Sequence, residues 1–129
     1  MDKIYVQCFD ALLYLRFCCT FSKSAFQKCC YIIYDMPSQM QKYLVEFIGT
    51  FFFLSIILFT GHPLAIGAAL AIAIYVGGKT SGGNFNPAVT IMMAVANKMP
   101  RSNAVPYIIA QIAGGLVALQ VYITFGKHF

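Results

Sequence analysis

Three long apolar stretches constrain the fold of this chain more than any other feature. Residues 43–60 are rich in Phe, Leu and Ile and carry one charge, that of Glu46, while residues 64–78 and 104–125 are uncharged. An α-helix rises about 1.5 Å per residue, so roughly 20 residues cross a hydrocarbon core of about 30 Å. We therefore predict three membrane-spanning helices, with a tight turn at Gly61 between the first two.

The distribution of charge agrees with a membrane protein and argues against several classes of soluble protein. Of the 129 residues, 60% are hydrophobic and 10% are charged, and Glu46 is the only acidic residue after Asp35. So few charged groups could not cover a soluble fold. The nine basic residues are scattered singly, which argues against a nucleic-acid interface. Without paired carboxylates, a metal-ligand cluster or a nucleophile beside a base, we expect no enzyme, no metal site and no cofactor.

Residues 1–39 form a separate segment in which charged residues interrupt the apolar ones, so no uncharged stretch reaches spanning length. We expect a domain boundary after this segment, with a transmembrane domain at 40–129. The segment contains all five cysteines of the chain: Cys8, Cys18, Cys19, Cys29 and Cys30. It fits either an interfacial helix palmitoylated at Cys29 or Cys30, or a disordered or untranslated extension with Met40 as the initiator.

Small residues at four-residue spacing predict close contacts between the spanning helices. They occur at Gly67 and Ala71 in the second stretch and at Ala110, Gly114 and Ala118 in the third.

A glycine-rich polar segment follows the second apolar stretch. Residues 77–86 (Gly-Gly-Lys-Thr-Ser-Gly-Gly-Asn-Phe-Asn) combine four glycines with side chains that compete for backbone hydrogen bonds, which disfavours a helix. A new helix is predicted at 87–97, with Asn86 as its N-cap and Pro87 in the first helical position. Such a helix spans about 16 Å, roughly half a bilayer.

A loop at 79–86 implies a cavity within the membrane, because non-helical backbone at that depth is tolerated only inside protein or beside water. The short helix would then direct its N-terminal N–H groups, and about half a positive charge, toward the middle of the bilayer. The Asn86 amide would add a hydrogen-bond donor, and carbonyl groups freed by Gly82 and Gly83 would offer acceptors to a passing solute.

Residues 81–90 (Ser-Gly-Gly-Asn-Phe-Asn-Pro-Ala-Val-Thr) resemble the first signature loop of the major intrinsic proteins, the aquaporin and aquaglyceroporin family. The resemblance extends to residues 46–50 (Glu-Phe-Ile-Gly-Thr), to residues 107–111 (Tyr-Ile-Ile-Ala-Gln) and to the glycine pair that follows. It implies an all-α membrane protein that forms a single aquaporin repeat, with three transmembrane helices and one re-entrant loop carrying a half-membrane helix.

The resemblance also implies roles for individual residues. The pore motif would be Asn86, Pro87 and Ala88. The backbone of the preceding loop would line the pore at Gly82, Gly83, Asn84 and Phe85. Glu46 and Gln111 would hold the loop backbone, although each could instead serve neighbouring helices alone. Ile66 stands where the family places one member of its outer selectivity filter, although packing against lipid or protein explains such a residue equally well.

One repeat is half of the pattern that the resemblance implies, because the family joins two inverted repeats. Asn84 also stands where the family usually has His. Three interpretations are open: a half-channel that passes water or glycerol once a complementary half completes it, or that is a truncated product; a dual-topology homodimeric channel; and a non-conducting membrane protein that interacts with full-length relatives. Except for a truncated product, each implies a homo- or hetero-oligomer in a lipid bilayer.

The basic residues predict an orientation with the N-terminus in the cytoplasm. In that orientation eight of them lie on the cytoplasmic side and Lys127 alone lies outside. The eight are Lys3, Arg16, Lys23, Lys28, Lys42, Lys79, Lys98 and Arg101. A count that starts at Met40 leaves four against one, so the asymmetry does not depend on the N-terminal segment.

Overall fold

The computed structural model describes residues 38–126 of the chain. The expectations for residues 1–37, among them the interfacial helix and the palmitoylated cysteines, lie outside the described residues. Ser38 and Gln39, the last two residues of the predicted extension, belong to the first helix. The position of the domain boundary stays a prediction.

Four α-helices and one 3₁₀ turn make up residues 38–126, a part of the chain that contains no β-strand. They are α1 (Ser38–Thr60), α2 (Pro63–Ser81), α3 (Pro87–Val95), the 3₁₀ turn (Arg101–Asn103) and α4 (Ala104–Phe125). Helices α1, α2 and α4 are long and apolar enough to cross a membrane, whereas α3 spans about 13 Å. The predicted all-α membrane fold, with three spanning helices and one half-membrane helix, is confirmed.

The helix bounds follow the apolar stretches with small differences. α4 has the predicted bounds. α1 begins before the apolar stretch because the Ser, Gln, Met and Lys residues at 38–42 are all compatible with a helix. α3 ends at Val95 rather than at the predicted residue 97. Asn97 has a positive φ of 55°, a conformation that cannot continue a right-handed helix.

The predicted end of the second helix at Gly78 is wrong, because α2 continues through residues 79–81 to Ser81. Gly77 is buried, and a Cβ there would lie 2.7 Å from Val45 Cγ1 and 2.9 Å from Phe85 Cζ. The missing side chain lets α1 and the loop approach α2 closely. This packing outweighs the low intrinsic helix propensity of glycine.

Helix α1 packs against both α2 and α4, and α3 packs against α4. At the contact between α1 and α4, a Cβ on Gly114 would collide with the carbonyl oxygen of Phe47. Ala118, one turn further along α4, is completely buried, and Ala110 is half-buried. The predicted close contact along this face of α4 is confirmed.

The predicted contact at Gly67 and Ala71 is wrong within the described part of the chain, where both residues are exposed. A Cβ on Gly67 would meet no atom within 4 Å. The buried small residues of α2 are instead Ala69, Ala73 and Gly77. Two residues turn a helix by about 200°, so the buried face lies opposite the predicted one.

Candidate pore loop

Residues 82–86 connect α2 to α3 inside the helical bundle. Their main anchor is Glu46 of α1, whose side chain is completely buried. Glu46 lies about 12 Å along the helix axis from Ser38, so the loop reaches well into the bundle. α3 then returns the chain over a similar distance. We call the end of the bundle at which α1 begins, α2 ends and α4 begins the loop end.

The Glu46 carboxylate accepts four hydrogen bonds. Its Oε1 accepts from the Ser81 hydroxyl at 2.7 Å and from the Asn84 N–H at 3.0 Å. Its Oε2 accepts from the Phe85 N–H at 2.7 Å and from the Gln111 side-chain amide at 2.8 Å. Burial of a carboxylate is costly unless donors replace its water, and these four donors fill its acceptor positions. One side chain of α1 thereby joins α2, the loop and α4.

Gln111 extends this network from α4 to α3. Its Nε2 donates to Thr90 Oγ1 at 2.8 Å as well as to Glu46. Asn84 Nδ2 donates to the same Thr90 oxygen at 3.2 Å and lies 3.5 Å from Met99 Sδ. Thr90, which has no predicted role, therefore ties the short helix to the loop and to α4.

Ser81 and Tyr107 complete the anchor, although neither carries a role predicted from the sequence. Ser81 Oγ donates to Glu46 and accepts from the Gly83 N–H at 3.1 Å. The Tyr107 hydroxyl donates to the Ser81 carbonyl oxygen at 2.6 Å, which joins α4 to the end of α2. One sequence signal points to Tyr107: it precedes Gln111 by four residues, so both side chains lie on one face of α4.

The loop backbone takes conformations that few residue types adopt. Gly82 and Gly83 have φ angles of 96° and 68°, which glycine adopts without strain. Phe85 has a φ of 48°, uncommon for a bulky residue, and its side chain is 1% exposed. Its ring fills the space beside Gly49 and Gly77, where an added Cβ on either helix would collide with it. The packed ring and the Glu46 hydrogen bond together hold Phe85 in this conformation.

Asn86 caps the N-terminus of α3, so the predicted N-cap is confirmed. Its Oδ1 accepts from the Ala88 N–H at 2.8 Å, and its carbonyl oxygen accepts from the Thr90 N–H at 2.9 Å. Pro87 occupies the first helical position, where a missing N–H leaves nothing unpaired. The Asn86 side chain is exposed, and within residues 38–126 its Nδ2 has no acceptor. This donor is available to a molecule outside the bundle.

The other predicted lining residues divide into buried side chains and open backbone. The side chains of Asn84 and Phe85 are buried, so neither faces a path beside the loop. The carbonyl groups of residues 82–85 accept no hydrogen bond from any residue that the structure describes. Ile66 is half-buried and lies near the opposite end of the bundle, about 22 Å along α2 from Ser81. The structure therefore brings Glu46, Gln111 and the loop together but leaves Ile66 apart from them.

The anchored loop and the short helix define a class of protein. Irregular backbone at membrane depth, followed by a helix whose N-terminus lies inside the bundle, occurs where polar groups line a path for water, ions or solutes. The fold and the site together are those of a multi-pass membrane protein of the channel or transporter class.

Comparison with known proteins identifies the family within this class. The family model described as Major intrinsic protein matches residues 57–128, more than half of the chain. The chain belongs to the major intrinsic protein family, which is a family of integral membrane channels and not of enzymes.

Curated relatives agree with this assignment. Glycerol uptake facilitator protein-like 6 of Lactiplantibacillus plantarum is 44% identical over 88 residues, which cover 61% of this chain and 41% of the relative. Aquaporin Z of Bradyrhizobium diazoefficiens is 34% identical over 97 residues, which cover 64% of this chain and 40% of the relative. Nodulin-26 of Glycine max is 32% identical over 93 residues, which cover 61% of this chain and 34% of the relative. The aligned part of this chain thus spans about two fifths or less of each relative. No solved structure is significantly similar to the chain.

Proposed function

We propose that residues 40–129 form one half of a channel that passes water or small neutral solutes such as glycerol once a second repeat completes it. The observation that carries this proposal is the free amide of Asn86 at the N-terminus of a half-membrane helix whose loop is anchored on Glu46. The names of the relatives, glycerol uptake facilitator and aquaporin, support the solute class.

The proposed path runs beside the loop and offers both kinds of hydrogen-bonding group. Asn86 Nδ2 is a donor without a partner among the described residues, and the carbonyl groups of 82–85 are acceptors without one. Water or a polyol carries donors and acceptors, so it can exchange its hydrogen bonds with bulk water for these. Aquaporin-type pores in general exclude cations by the positive ends of half-helix dipoles, and we assign the same role to α3.

The small side chain of Ala88 suits this path. Ala88 is exposed beside Asn86, and its N–H is occupied by the Asn86 side chain. A bulky residue at 88 would occupy the path of the solute, and it would leave the cap intact because the cap uses the backbone N–H of residue 88.

We propose that Ile66 contributes to a separate constriction. Its distance of about 22 Å along α2 from Ser81 supports a position away from the loop.

A second repeat is needed because α3 is open on one side. Ile91 and Met92 are exposed, and they follow the polar N-terminus of the same helix by about one turn. Polar backbone at membrane depth requires protein or water beside it. The complementary repeat can lie on another chain or elsewhere in the same polypeptide. A dual-topology homodimer is less favourable, because all Lys and Arg residues of the described chain lie at the loop end.

Osmotic shrinkage of proteoliposomes tests the proposal. The chain is reconstituted alone and together with the C-terminal half of Glycerol uptake facilitator protein-like 6 of Lactiplantibacillus plantarum. We expect the two halves together to speed shrinkage, or glycerol entry, beyond either half alone. Asn86→Leu should remove the gain, because it deletes the free donor and the cap.

Gln120→Leu is the matched control for this experiment, since it also replaces an exposed amide but lies on α4 away from the loop. It should leave the rate unchanged. If both halves insert and no gain is seen, the channel proposal fails and the non-conducting interpretation remains. If the faster shrinkage persists in Asn86→Leu, Asn86 does not line the pore.

A further inference from the structure

The basic residues of the described chain gather at the loop end. Residues 38–126 contain four of them, Lys42, Lys79, Lys98 and Arg101, and all four lie toward that end. Glu46, the only acidic residue in this range, is completely buried and holds the loop. No exposed carboxylate among the described residues therefore opposes Lys98 or Arg101.

Two of the cations lie in one ordered turn, residues 96–103, between α3 and α4. Both Lys98 and Arg101 are exposed. The Lys98 N–H donates to the Met93 carbonyl oxygen at 2.9 Å, which fixes the turn to the end of α3. Arg101 Nη2 donates to Asn97 Oδ1 at 3.2 Å, and its other N–H groups have no acceptor within 38–126. The turn thus presents a held guanidinium with open donors, and the exposed Lys98 lies three residues earlier in the same turn.

Apolar side chains flank this turn on the side of the membrane interior. Val95 at the end of α3 is 70% exposed, and Val105 in the first turn of α4 is 64% exposed. Two exposed cations therefore lie near exposed apolar residues along the chain, an arrangement that suits a phosphate group attached to acyl chains. Cations next to exposed apolar side chains suit an amphiphile with an anionic head group. A soluble anion would use the cations but not the apolar side chains.

We propose that the turn at 96–103 binds one anionic phospholipid. Lys98 and Arg101 contact its phosphate, and Val95 and Val105 contact the upper part of its acyl chains. Guanidinium and ammonium groups both bind phosphate, the guanidinium through paired N–H donors. The binding requires neither conduction nor a second repeat, so it stands apart from the channel proposal.

Native mass spectrometry of the full chain in detergent micelles tests this inference. The chain is titrated with phosphatidylglycerol and, separately, with phosphatidylcholine. We expect tighter binding of phosphatidylglycerol, and a loss of about 25-fold in the double variant Lys98→Gln, Arg101→Gln, at about fivefold for each cation near a lipid headgroup. Affinity for phosphatidylcholine should stay unchanged.

The double variant Lys42→Gln, Lys79→Gln is the charge-matched control, and it should keep most of the preference. Arg101→Gln alone gives a second measurement, with an expected loss of about fivefold. Equal affinity for the two lipids in the unmodified chain, or equal losses in the two double variants, would overturn the proposal. So would full competition by glycerol phosphate at the lipid's concentration, because that molecule has no acyl chains.

Discussion

Thr50 and Thr90 are both buried, but only Thr90 takes part in the loop anchor. Thr90 Oγ1 accepts hydrogen bonds from Gln111 and Asn84. Thr50 Oγ1, one helical turn beyond Glu46, has no partner among the described residues. Thr50 is 2% exposed and Thr90 is 0% exposed, so burial does not distinguish them. Their hydrogen bonds do distinguish them, and the same substitution should therefore have different effects at the two positions.

Valine matches threonine in shape and removes the hydroxyl. Thr90→Val leaves two buried donors without this acceptor, and we expect the free energy of unfolding to fall by about 1–3 kcal/mol. Thr50→Val breaks no hydrogen bond seen in the structure, so the change should stay below about 0.5 kcal/mol or be stabilising. Unfolding in mixed micelles, followed by far-UV circular dichroism, measures both. Equal losses in the two variants would contradict the assigned hydrogen bonds.

The sequence predicts a role for some residues of the anchor and not for others. Glu46 is the one charge in its apolar stretch, and Gln111 is an amide within a long uncharged stretch, so both stand out. Ser81, Tyr107 and Thr90 lie in the segments that resemble the family, but nothing in those segments says which atoms they contact. They bond to partners 35, 26 and 21 residues away, and which partners they meet depends on how the helices face each other. Local patterns carry no information on that arrangement.

At the scale of the helices, the main difficulty is to decide which face of α2 is buried. Small residues recur at four-residue spacing on two faces, one with Gly67 and Ala71 and the other with Ala69 and Ala73. Both faces are apolar because lipid and protein place similar demands on a spanning helix. Packing against α1 selects the second face, and nothing within α2 predicts that selection. The bounds of α4, in contrast, follow from its apolar length alone.

Two glycines provide a test of this packing. A Cβ on Gly114 would strike the backbone of α1, which cannot move aside as a flexible side chain could. We expect Gly114→Ala to lower the free energy of unfolding by about 1–3 kcal/mol. Gly67→Ala adds its methyl group to open space and should be neutral, or stabilise by up to about 1 kcal/mol through helix propensity. Thermal unfolding of the two variants in one detergent compares them directly, and a destabilised Gly67→Ala would argue for a packed α2 face.

At the scale of the whole molecule, the one-sided distribution of Lys and Arg predicts a single orientation in the membrane. The loop end carries every Lys and Arg of residues 38–126, and the turn at Gly61 and His62 carries none. Basic residues are retained on the cytoplasmic side. We therefore expect the loop end, and with it the start of α1, to face the cytoplasm.

Labelling of single cysteines measures this orientation once the five native cysteines are replaced. In intact cells a membrane-impermeant maleimide should label His62→Cys but not Asn97→Cys. After permeabilisation it should label both. The reverse pattern would contradict the predicted orientation. Labelling of both sites in intact cells would instead indicate two orientations, and it would support the dual-topology homodimeric channel.

The hydrogen bonds of Glu46 also set an order of assembly during synthesis. Its donors follow it along the chain by 35, 38, 39 and 65 residues. A membrane chain is made from its N-terminus, so α1 is complete before any of these donors exists. The last of them, Gln111, arrives with α4, and contacts at such separations are slow to form. A nascent chain that stalls before residue 111 would hold its carboxylate in the membrane one donor short.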